Sequence, residues 1–270
     1  MLAAHKSEPL LRIVGLTKTY RPGRWWEKRV DTDALDRADL TLEAGKTLAL
    51  VGKSGSGKTT LAMCLAMLTK PDSGKVFFDG CDLLALPKSA RALLHAQIQL
   101  IFQDSAAALP ARFSAAQIIE EPLTIQRRCS GSVKERSDFV LELMAKVGLP
   151  PGWANRRPHQ LSGGERHRLA IARSLALLPR LLILDEPFTG LDLSIRGQIV
   201  NLLLALQADL SLTLLYICHD LNLVRHFSDE VAVMDRGRIV EQGSVTEIFR
   251  DPRHDATRAL LTCSEARSHG

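Results

Sequence analysis

The chain has 270 residues, 46% hydrophobic and 24% charged, enough to bury the core of an α/β domain with a second lobe. Its 35 Lys and Arg against 30 Asp and Glu leave a net charge of +5, which would suit nucleotide phosphates or an anionic membrane face, or be neutral decoration, and makes no case for nucleic-acid binding. The five cysteines are odd in number and lack CxxC spacing, which argues against a disulfide scaffold or zinc cluster and for a reducing compartment.

The opening MLAAHKSEPLLRIVGL has no long apolar run and no cleavage-site pattern, and the later apolar stretches are too short to cross a bilayer. Any membrane link is therefore expected to run through another protein. Residues 10–17 read as a first strand, and 21–33, with Trp25 and Trp26, as a loop. Alternation over 38–43 suggests a second strand, closed by a turn at Gly45, and an antiparallel edge sheet. TLALVG (47–52) is nearly continuously apolar, as in a strand covered on both faces. A Gly-rich segment follows, then apolar residues at helical spacing up to Pro71.

Strands are expected at 74–79 and 98–102. From 104 to about 160 strand character fades, and 115–128 and 132–147 read as helices of a lobe inserted into the core. A helix over 163–178 ends at Pro179; strand 181–185, helix 194–208, strand 213–218 and a hairpin over 231–243 turning at Arg236–Gly237 follow. The tail from 252 is polar and reads as peripheral. Cys64 and Cys218 lie in apolar contexts and read as small core residues.

Residues 52–59 read Gly52, Lys53, Ser54, Gly55, Ser56, Gly57, Lys58, Thr59, which fits G-x-x-x-x-G-K-[ST] between an apolar strand and a helix. Glycines let the backbone curl around a phosphate chain, and the helix start directs N–H groups at the same anion. Lys58 can reach the β and γ phosphates, Thr59 offers a hydroxyl to Mg²⁺, and Thr60 can contact the α phosphate. LLILDEP places Asp185 and Glu186 at a strand's C-terminal end, where open parallel sheets bind ligands. Asp185 suits Mg²⁺; Glu186, facing the other way along a strand, suits the attacking water. His219 follows another apolar strand and suits the γ phosphate. Gln103 ends IQLIFQ, where an amide can accept from water or ligate Mg²⁺. Tyr20 reads either as an adenine-stacking ring or as an ordinary surface aromatic.

Within LSGGERHRLAIARSLA (161–176), Ser162, Gly163 and Gly164 form a second anion-binding turn at a helix start. One phosphate loop suffices for one nucleotide, so a second cradle makes sense if it closes on nucleotide held by another subunit. These motifs, with TGLD at 189–192, occur in the order of the ABC transporter superfamily, and over residues 10–250 the chain resembles its nucleotide-binding subunits. The resemblance implies an α/β P-loop NTPase of the ABC ATPase type with an N-terminal antiparallel β-subdomain and an inserted helical subdomain (about 104–178), followed by a peripheral tail (251–270). It implies ATP and Mg²⁺ as ligands and a head-to-tail dimer with two ATP sandwiched between subunits. Lys58, Gln103, Asp185, Glu186 and His219 would act in cis, Ser162 and Gly164 on the partner's ATP, and Asp192 would communicate across the interface. Glu165 stands where the family usually has glutamine, and Thr189–Gly190 where it often has Ser–Ala; the acid is expected to face away from phosphate.

The stretches IFQDSAAALPARFSAAQIIEEPL (101–123), RRPHQLSGGERHRLAIARSLALLPRLLILDEP (156–187) and DPRHDATRALL (251–261) resemble peptide and nickel importer ATPases, and among them the second, shorter ATPase of the pair, most closely the nickel-type member. That resemblance implies a second ABC ATPase subunit, two transmembrane permease subunits, an extracytoplasmic solute-binding protein and a place at the cytoplasmic face of the bacterial inner membrane. Nickel, a metal–chelator complex, dipeptides and oligopeptides all stay open as cargo. With only Cys263 in the tail, no iron–sulfur cluster is expected. The competing readings are an exporter ATPase, a non-transport ABC ATPase and a regulatory module that binds ATP without turnover.

Overall fold

The computed structural model describes residues 8–20, 32–126 and 132–268. The Trp25–Trp26 pair and Cys129 lie outside them. The chain forms two compact units: the described residues up to Arg91 together with those from Leu215 onward, and Ala92–Leu214.

In the first unit, β1 (Leu11–Tyr20) pairs antiparallel with β2 (Thr32–Leu42) and with β4 (Ser73–Phe78), which pairs with the short β5 (Cys81–Asp82). Leu35, Ala38, Leu40 and Leu42 turn one face of β2 inward, giving the alternation of a half-buried strand. β2 begins six residues before the expected 38: TDALD is too polar to signal a strand, yet Leu35 pairs with Lys18 and Asp33 with Thr19. β3 (Thr47–Val51) is buried at every residue and leads to α1 (Lys58–Leu65). α1 stops five residues short of Lys70 because Met67 adopts φ +56°, and Leu68 N–H bonds back to the Met63 carbonyl. α2 (Lys88–His95) was not anticipated.

In the second unit, β6 (Ile98–Ile101) runs parallel to β7 (Leu181–Asp185), which is wholly buried. Between them lie α3 (Ala115–Ile125), α4 (Val133–Lys146) and α5 (Gly163–Leu175); α6 (Leu193–Leu210) follows β7. Arg173 of α5 reaches Glu121 of α3 at 2.7 Å, and α6 buries Ile199, Val200, Leu203 and Leu206 at helical spacing.

The unit boundary falls within β8 (Thr213–Cys218), all of it buried. Back in the first unit come α7 (Leu221–Phe227), the antiparallel hairpin β9 (Glu230–Asp235) and β10 (Arg238–Ser244), α8 (Val245–Arg250) and α9 (Asp255–Ser268). β9 also pairs in parallel with β3. The polar tail thus carries a helix, with Thr257 1% exposed. Four helices start with the same device: Ser114–Gln117, Ser132–Glu135, Ser162–Glu165 and Ser244–Glu247 form reciprocal capping boxes, satisfying two orphan N–H groups each. Among the described residues no helix is long and apolar enough to cross a membrane.

Candidate functional site

β3 delivers the chain into the loop that α1 then carries away. Close packing explains two of its glycines. A Cβ at Gly52 would lie 2.2 Å from the Met234 carbonyl oxygen, and one at Gly57, where φ is +108°, would lie 2.1 Å from that of Ala34. Ser56 is buried, and its N–H donates to the Lys53 carbonyl at 3.1 Å, closing the turn. At Gly55 a Cβ would meet nothing within 4 Å, so the loop is open on that side. α1 has no side-chain cap, so its N-terminus presents backbone donors and the positive end of its dipole to an anion.

Lys58 is buried, and its Nζ donates to the carbonyls of Gly52 at 2.8 Å and Lys53 at 2.9 Å, with Ser56 Oγ at 3.4 Å. The ammonium is held over the loop by oxygens that phosphate oxygens can replace. Thr59 is exposed in the first turn and Thr60 is buried. Burial pushes the Cys218 thiol, at the end of β8, up to about 12, and the Lys58 charge pulls the other way. His219 comes next and is exposed; Asp220 Oδ1 then accepts from Asn222 and Leu223 N–H, capping α7. Tyr20 is 40% exposed at the end of β1, with the Lys18 ammonium 5.6 Å from its ring centroid.

In the second unit, Ile101 of β6 pairs with Leu184 of β7, so Gln103 and the Asp185–Glu186 pair lie at the C-terminal ends of neighbouring parallel strands. Asp185 is 4% exposed, whereas Glu186 is half-buried with φ +47°. Glu186 lies one residue past the end of β7 with left-handed backbone, so strand alternation does not set its direction relative to Asp185. Thr189 N–H donates to the Glu186 carbonyl at 3.3 Å, and its hydroxyl lies 3.5 Å from Glu186 Oε2.

The 162–164 turn opens α5. Ser162 Oγ accepts from Glu165 N–H at 3.4 Å, and Ser162 N–H donates to Glu165 Oε2 at 2.7 Å, so the acid is tied to the helix start. A Cβ at Gly164 would sit 3.0 Å from Ile195 Cγ2. Asp192 caps α6, its Oδ1 accepting from Ile195 N–H at 2.9 Å. A cleft of about 470 Å³ lined by Asp104, His159, Gly163, Arg166, His167 and Thr189 joins these segments. The Ser-x-x-Glu spacing is a capping signal that the expectation for Glu165, only that it faces away from phosphate, did not use; the packing of Met234 and Ala34 behind the phosphate loop left no local signal.

The described residues hold no group of three His, Cys, Asp or Glu side chains built as a metal site. Each unit by itself offers hard oxygen donors of the kind Mg²⁺ takes: the exposed Thr59 hydroxyl beside the open cradle in the first, the buried Asp185 carboxylate in the second.

The family model described as ABC transporter matches residues 35–189. The dipeptide transport ATP-binding protein DppF of Haemophilus influenzae is 42% identical over 96% of this chain and 79% of its own length. DppF of Escherichia coli is 44% identical over 95% and 77%, and the oligopeptide transport ATP-binding protein OppF of Salmonella typhimurium 43% over 88% and 71%. The dimeric structure of MJ0796, a bacterial ABC transporter cassette, superimposes with a TM-score of 0.76 at 29% identity, covering 87% of this chain and 98% of that one. The structure of cbiO1 from Clostridium perfringens gives 0.76 at 27% identity over 97% and 98%. The P-loop α/β fold, with its antiparallel sheet and inserted helices, is that of these cassettes. The chain belongs to the ABC transporter family, as an ATP-hydrolysing subunit.

Proposed function

We propose that this subunit energises uptake of dipeptides or oligopeptides across the cytoplasmic membrane, working from its cytoplasmic face. The observation that carries the cargo class is 42–44% identity to dipeptide transport ATP-binding proteins along nearly the whole chain. A second ATPase subunit, two permease subunits and a solute-binding protein complete the system proposed. Its ATP-binding domain spans 10–250 with a helical part at about 104–178, and 251–270 forms the tail.

ATP is gripped by the backbone N–H groups of residues 53–59 and by Lys58, whose ammonium exchanges the Gly52 and Lys53 carbonyls for β and γ phosphate oxygens. Tyr20 stacks on the adenine. In this reading Thr59, Asp185 and Gln103 would hold Mg²⁺, which would supply charge neutralisation at the phosphates. Glu186 orients water in line with the γ phosphate, and His219 stabilises the charge that develops there. Ser162, Gly163 and Gly164 contact ATP bound to the partner, and Asp192 relays its state.

In the assembled transporter, Glu186→Gln is expected to bind ATP and lose nearly all turnover; rapid steady hydrolysis would reject its role. Uptake of a labelled dipeptide, a labelled oligopeptide and nickel ion by cells with and without this subunit tests cargo. Nickel uptake that depends on it while peptide uptake does not would sink the peptide reading.

A further inference from the structure

Three contacts converge on the back of the phosphate loop, and all come from segments that carry none of its chemistry. β9 pairs with β3 as Leu50↔Ala232 and Val51↔Val233, so Met234 falls beside Gly52. Its carbonyl oxygen fills the space a Cβ on Gly52 would need, and its Cε lies 3.0 Å from where a Gly57 Cβ would be. Beyond it the hairpin turns at Arg236 (φ +46°) and Gly237 (φ +80°), both left-handed as in a tight two-residue hairpin turn. There Gly237 N–H donates to the Ser56 carbonyl at 2.9 Å, while its own carbonyl accepts from Asp36 N–H at 2.9 Å. Arg238 Nε donates to Asp36 Oδ2 at 2.7 Å. The circuit closes through Ala34, on the same strand as Asp36, whose carbonyl abuts Gly57.

The geometry points to the β9–β10 hairpin as a brace that presets the phosphate loop, with Met234 and Gly237 as positioning residues for nucleotide. Neither touches ATP. Their work is to hold Gly52, Ser56 and Gly57 in the curled form before the anion arrives, so that binding does not also have to order the loop. The inference rests on the reading of residues 52–60 as the nucleotide loop.

Mant-ATP titration of the full chain and steady-state ATPase kinetics of the assembled transporter test it. Met234→Ala and Gly237→Ala are expected to weaken ATP binding about ten-fold and raise KM, with kcat changed less than about two-fold, as for loss of uniform binding. Met234→Leu, which keeps the volume, is expected to restore affinity. Ile248→Ala, a buried truncation in α8, controls for general destabilisation and is expected to bind like the parent. Parent affinity in Met234→Ala and Gly237→Ala beside weakened binding in Lys58→Ala overturns the brace alone, as does a loss shared equally by Ile248→Ala. Parent affinity in Lys58→Ala as well overturns the nucleotide-loop reading and the brace with it.

Discussion

The Glu165 carboxylate accepts the Ser162 N–H at 2.7 Å, so the acid in the 162–165 turn serves the helix rather than standing free before an anion. Its charge also sits at the positive end of the α5 dipole. Glu165→Gln keeps an acceptor and forfeits the charge, and is expected to cost about 0.5 kcal/mol; Glu165→Ala forfeits both, about 1 kcal/mol. Urea unfolding measures both values. Turnover of the Gln variant is expected to stay within about two-fold of the parent.

Asp192 combines a helix cap with a charge. Asn caps as well as Asp, so Asp192→Asn is expected to hold stability within a few tenths of a kcal/mol and Asp192→Ala to lose about 1 kcal/mol. If the charge matters between subunits, the Asn variant loses ATPase activity in the assembled transporter at full stability. Thermal melts beside ATPase assays separate the two roles.

Leu178 sits at φ +51° after α5 with its side chain 59% exposed, so the strain of a left-handed leucine is offset by little packing. Leu178→Asn is expected to raise stability by about 1 kcal/mol, or about 2–4 °C in Tm. A lowered melting temperature would show that the side chain packs more than its exposure indicates.

Glu241 of β10 fastens the start of the C-terminal helix. Partial burial pushes its carboxyl up, but the Thr257 hydroxyl and the Arg253 and His254 N–H groups donate to it and more than reverse this, leaving it below the ordinary 4.5. A depressed folded-state value means stability present above pH 4.5 and lost as pH falls through the lower, folded value. Glu241→Gln is expected to lower Tm at pH 7 and to shrink the Tm difference between pH 7 and pH 4 by about 1–2 °C. An unchanged pH profile would remove Glu241 from the account.

Legibility followed the range of the forces. Strands 47–51, 181–185 and 213–218 were plain because both faces are buried and the polar residues, Thr47, Asp185 and Thr213, stand only at the ends of otherwise apolar runs. The motif residues were plain because phosphate chemistry needs those types at that spacing. What escaped was decided from far away in sequence. Thr32–Arg37 is a strand because β1 pairs with it, and the tail is helical because Glu241 captures its first turn. The early stop of α1 escaped because periodicity does not register a methionine entering the left-handed region.

The left-handed backbone at Glu186 carries a consequence for any saturation library at that codon. If Glu186 orients the attacking water as proposed, two filters operate there, one on reactivity and one on shape. Gln preserves the shape to first order and fails only the first. Asn and Gly tolerate the conformation at least as well, so their variants should express at parent yield though inert. Val, Ile and Thr fail both, because a branched carbon clashes at that torsion, and their variants should be thinned out by misfolding before any assay of hydrolysis begins.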